Sequence, residues 1–114
     1  MTRRMLLPLV VLVALAIPTA ALANAVGNAT LTVNAPKKHA NKEWTGSATL
    51  KASKAEALQL EVCLQSNKKT VAASCTKVHG TVKALAATSK EAKGSSLRTW
   101  AWADVDGKTS TAVS

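Results

Sequence analysis

The chain has no Phe, no Tyr and only three Trp in 114 residues, so any core must be built mainly from aliphatic side chains. Acidic residues are also scarce. Six Asp and Glu stand against 15 Lys and Arg, a net charge of +9 at neutral pH. Two cysteines are too few for a cysteine-only zinc site, and the two histidines, His39 and His79, lack the spacing to complete a mixed one. Neither histidine lies near a nucleophile motif, which argues against His-dependent catalysis. Two fragments of known motifs fail on inspection. Asp104-Val105-Asp106-Gly107 begins like a calcium loop, but Lys108 holds the fifth position and Thr109 the one that needs Gly. Gly107-Lys108-Thr109 ends like a phosphate-binding loop, yet Trp102 stands where the first Gly belongs. The expectation is a protein without enzymatic activity, cofactor or metal, and the length allows one domain at most.

What is present divides sharply at residue 23. Arg3 and Arg4 precede an apolar run from Met5 to Ile17, Pro18 and Thr19 break it, and Ala21-Leu22-Ala23 has the small-residue form of a cleavage site. Charge, apolar core and small residues in that order predict a secretory signal over 1–23, with 24–114 as the single exported domain. The apolar run is too short for a stable membrane span. The mature chain of 91 residues keeps 37 hydrophobic residues. Seventeen of them are Ala and none is Ile, which leaves a marginal core. Export permits a disulfide between Cys63 and Cys75, worth about 3 kcal/mol on the chain-entropy model.

Period-two alternation predicts strands. Ala29, Leu31, Val33 and Ala35 form one apolar face, ended by Pro36, with an exposed basic loop from Lys37 to Lys42 to follow. A second strand runs from Trp44 to Ala52 and a third from Leu58 to Gln65. If Cys63 faces Cys75 across a hairpin, paired positions sum to 138. Leu60 then meets Val78, Val62 meets Thr76, Leu64 meets Ser74, Glu61 meets Lys77 and His79 meets Gln59, with the turn over Asn67–Thr70. Thr81–Lys93 reads as strand to about Thr88 and then polar loop to Ser95, in preference to a helix capped by Thr81 and Gly94. The last segment is a hairpin about Asp106-Gly107, a favoured two-residue turn, with Trp100 opposite Val113 and Trp102 opposite Thr111. About seven short strands with one disulfide predict an all-β fold, a small antiparallel β-sandwich, for which an immunoglobulin-like arrangement is one option.

Three features bear on function. Trp100 and Trp102 share a strand face with Arg98 and Asp104. An Ala-rich core in need of bulk favours placing the Trp pair, and Trp44, inside; if Ala101 and Ala103 are buried instead, the pair forms an exposed platform able to stack on sugar rings. The mature domain carries 13 basic and six acidic residues, 12 of the 13 being Lys. This charge reads first as diffuse and solubilising, with Lys37, Lys38 and Lys42 as the candidate contact for an anionic polymer. Arg98 is the sole mature Arg, too few for specific nucleic-acid readout. His39, in the basic loop, reads as solvated.

The signal, the Leu60-Glu61-Val62-Cys63-Leu64-Gln65 strand and the hairpin from Leu97-Arg98-Thr99-Trp100 through Asp106-Gly107 resemble the small secreted proteins of actinomycete bacteria. That resemblance implies export and a β-rich fold and carries no activity. It also implies a second cysteine pair flanking the later strands, which this chain lacks. The expectation is a secreted, monomeric or weakly associating module, extracellular or held at the cell wall, that binds an anionic or glycan component of a cell surface. A secreted inhibitor presenting Lys37–Lys42 or Asn67–Thr70 to a trypsin-like protease is the alternative.

Overall fold

The computed structural model describes residues 22–114, and their regular structure is one seven-stranded antiparallel sheet with a single 3-10 turn at Ala40–Lys42. The strands are β1 (Leu22–Val26), β2 (Ala29–Lys38), β3 (Glu43–Ser66), β4 (Lys69–Thr88), β5 (Ala92–Lys93), β6 (Leu97–Val105) and β7 (Lys108–Val113). Of the expected signal, residues 1–21 lie outside the described residues. Leu22 and Ala23 pair with Val33 and Thr32 at the start of β1, and cleavage after Ala23 would leave Asn24, Ala25 and Val26 of that strand paired.

The stretches expected as separate second and third strands are one strand of 24 residues. The first half of β3 pairs with β2 through Leu31↔Leu50, and its second half pairs with β6 through Val62↔Ala101. β4, 20 residues long, follows the other edge of both halves through Leu50↔Leu85 and Leu60↔Val78. Residues 52–55 of β3 stand against Lys83 alone, and extra residues on one side of a ladder bend the strand. The bend folds the first half over the second. Gly46 therefore comes to lie against Thr99, the β6 partner of Leu64. The two halves of the bent sheet form the two layers of the expected sandwich, nearly closed into a barrel where Asn24 Nδ2 of β1 donates to the Thr111 carbonyl of β7 at 3.3 Å.

Between the layers lie Leu31 and Leu50 from one side and Leu58, Leu60 and Leu64 from the other, all fully buried. Each such leucine contributes about 1.5–3 kcal/mol. Ala48, Ala101 and Ala103 interleave with them, large against small, as a thin core requires.

Pro36 does not end its strand. The β2–β3 register shifts between Asn34 and Lys37, so Ala35 and Pro36 occupy a bulge opposite Gly46, where the missing N–H of proline disrupts no ladder bond. β2 then continues to Lys38, so Lys37 and Lys38 belong to a strand end and not to the loop.

In the β3–β4 hairpin the sum of 138 holds from Glu56↔Val82 to Val62↔Thr76, with Glu61↔Lys77 and Gln59↔His79 as expected. It fails beyond that point. Leu64 pairs with Val71 instead of Ser74, because residues 72–75 bulge out opposite Cys63. Ser74 turns inward there. Its Oγ accepts from the Leu64 N–H at 2.8 Å and donates to the Val71 carbonyl at 2.6 Å, taking the place of a ladder bond. The Cys63–Cys75 disulfide closes the bulge. The turn is Asn67-Lys68 alone, both at positive φ (52° and 66°), so Lys69 and Thr70 are already β4. The Asp106-Gly107 turn forms as expected, with φ of 55° and 91° and the Gly107 N–H donating to Asp104 Oδ1 at 2.8 Å. β4 ends at Thr88, so strand prevails over helix as expected. Ala92 and Lys93 of the expected polar loop, however, form β5, because Trp44 and Glu43 offer them a free edge of β3.

Candidate functional site

Alternation along β6 decides which side of the last hairpin faces the core. Thr99, Ala101, Ala103 and Val105 are buried, while Arg98, Trp100, Trp102 and Asp104 are half-buried on the outer face. The core placement of the Trp pair is thereby corrected. At Thr99, against Gly46, the layers approach too closely to admit a large side chain, and leucines of β2 and β3 supply the bulk of the core. Trp44 is not in the core either. It sits half-buried at the end of β3 and donates its indole N–H to the Gly94 carbonyl at 2.9 Å.

The outer face is built in rows across β4, β3, β6 and β7. Lys77, Glu61, Trp102 and Thr111 form one row, and His79, Gln59, Asp104 and Thr109 the next. Cys63, Trp100 and Val113 form a third, so the disulfide flanks Trp100. The two indoles, two residues apart on one strand face, stand about 7 Å from each other. Lys77 Nζ lies 5.9 Å from the Trp102 ring centroid, within range of a cation–π contact.

Beside the Trp ridge the face is recessed. A cavity of about 380 Å³ opens over Ala57 and Gly80, walled by Gln59, His79 and Thr81. Gln59 is paired with Asp104, so the recess lies next to Trp102's row, and it is lined by an amide, an imidazole and a hydroxyl. Gln59, Thr81 and His79 were not singled out as site residues from the sequence. The hairpin register held the signal, since it sets His79 opposite Gln59 on the face that Trp102 shares.

The remaining candidates fall elsewhere. Lys37, Lys38 and Lys42 are exposed at the far end of β2 and the following turn, with Lys38 Nζ 5.9 Å from the Trp44 ring centroid. His39 is half-buried, its Nε2 2.8 Å from Thr45 Oγ1, and so is less solvated than expected. Among the described residues, Glu61, Cys63 and Cys75 bring metal-ligating atom types within 4.8 Å of one another. Both sulfurs are in the disulfide, which leaves no thiolate to bind a metal.

No protein-family model, no curated protein and no solved structure matches this chain.

Proposed function

We propose that the protein is an exported, non-catalytic binding module that attaches to a glycan or anionic component of a cell surface, and that the Trp100–Trp102 face takes the glycan. The observation that carries this reading is the outward position of both indoles, on a strand whose small residues fill the core. Flat aromatic faces pack on the apolar faces of sugar rings, and the adjoining Gln59, His79, Thr81 and Asp104 offer partners for hydroxyls. The disulfide beside Trp100 ties β3 to β4 under the site and limits what a ligand must order on binding.

The test is retention of the oxidised protein on insoluble polysaccharides and isolated cell walls across a salt series. Salt-resistant retention that is lost in folded Trp102→Ala is the expected result. Retention of the variant equal to that of the parent would remove the Trp face from the reading.

A further inference from the structure

The positive charge of the mature chain is collected at one end of the sandwich, although it is scattered along the sequence. Lys38 of β2, Trp44 of β3 and Ala92 of β5 lie in one row, with Lys93 opposite Glu43 in the next, so Lys37, Lys38, Lys42 and Lys93 share this rim. The second layer ends at the same place. Ser66 pairs with both Lys69 and Leu97, Gln65 pairs with Arg98, and Lys68 tops the turn. The two layers are joined there. Gly94 packs against Leu97, and the Lys90 N–H donates to the Ser74 carbonyl at 2.8 Å. Eight of the 13 cations thus crown one end, seven of them exposed lysines, against only Glu43 and Glu91. Over the rest of the domain five cations are nearly balanced by Glu56, Glu61, Asp104 and Asp106.

We infer that this end is a second binding surface, for a linear polymer carrying closely spaced phosphate charges. Strand ends from both layers set the lysines around a rim, where their fields add toward a chain laid across it. Lysine is a compact point charge that binds phosphate without a planar fork, and arginine, whose fork matches carboxylate and phosphate alike, occurs once at this end. Bases have nothing to stack on. Among the rim lysines the aromatic is Trp44, its ring lies under Lys38 and its N–H is taken by Gly94, while Trp100 stands inward of Arg98 on the β6 face. The surface therefore holds a phosphate backbone by charge alone. It meets the Trp100–Trp102 face only at Arg98 and stands whether or not that face takes a glycan.

The probe is inorganic polyphosphate, titrated against the full oxidised chain at several salt concentrations. Two triple variants are compared, Lys37→Gln/Lys38→Gln/Lys42→Gln at the crowned end and Lys51→Gln/Lys54→Gln/Lys83→Gln at the other. The first is expected to weaken binding at least tenfold and to reduce the slope of log affinity against log salt by about two. The second is expected to stay within twofold of the parent. Equal losses from both triples, or no binding at 50 mM salt, would overturn the inference. So would preference for a single-stranded oligonucleotide or a polycarboxylate of matched charge. Trp102→Ala, which tests the glycan face, should leave polyphosphate binding unchanged, so the two readings fail separately.

Discussion

Gly46 of β3 and Thr99 of β6 meet across the core so closely that a Cβ on Gly46 would stand 2.5 Å from Thr99 Oγ1 and 2.7 Å from its Cγ2. The residue at 46 therefore limits how near the two layers come at the crowned end. Gly46→Ala should cost about 1–3 kcal/mol, read as a lowered denaturation midpoint. Thr99→Ala removes both crowding atoms, so the double variant should recover most of the loss. Additive losses would show that the strain lies in the backbone of β3 and not in this contact.

Ser74 holds the bulge of β4 to β3. In Ser74→Ala the buried N–H of Leu64 loses its acceptor, at an expected cost of about 1–3 kcal/mol. Reducing Cys63–Cys75 should cost a further 2–4 kcal/mol or so. Urea titrations of the parent and of Ser74→Ala, each oxidised and reduced, separate the two contributions. Because the disulfide and the serine close the same bulge, reduction should cost less in Ser74→Ala than in the parent.

The outward position of the indoles makes a prediction about stability alone. Trp102→Ala loses cross-strand contacts with Glu61 and Thr111, worth about 0.2–1 kcal/mol each. Leu60→Ala, at a fully buried site, should cost about 2–5 kcal/mol. Thermal unfolding of the two variants side by side checks this. A Trp102→Ala loss as large as that of Leu60→Ala would place the indole in the core after all.

Lys77 covers part of the ring that the proposed glycan would use. Removing it in Lys77→Ala should cost less than about 1 kcal/mol of stability and should strengthen retention on neutral polysaccharide by uncovering the indole. Weaker retention would mean instead that Lys77 is itself a ligand contact.

Much of this fold could be read in the sequence, wherever a local rule operates without competition. Period-two alternation located Leu31, Leu50 and Leu60 on inner faces, and the cysteine-derived register held over the middle of the β3–β4 hairpin. Asp106-Gly107 specified its turn by positive φ alone. Failures came where tertiary geometry overrode a local signal. The Ser53–Ala57 stretch carries no strand alternation, and β3 runs through it because β4 supplies a partner on both sides of the bulge. Pro36 reads as a stop, yet a bulge accommodates it. The orientation of Trp100 and Trp102 depends on how closely two layers approach, which no single strand encodes. The gathering of lysines at one end appears only once the topology brings 37–42, 68–69 and 90–98 together.

β3 has a different neighbour on the same edge in each half, β2 from earlier in the chain and β6 from much later. Until Leu97 and the residues after it have been made, Leu58, Leu60 and Val62 have no wall of Ala101, Ala103 and Val105 to pack against. Closure of the core therefore waits on Leu97–Val105, and contacts of that sequence separation form slowly. Until those residues pair, the second half of β3 presents one unpaired edge, the feature by which a sheet recruits a strand from another chain.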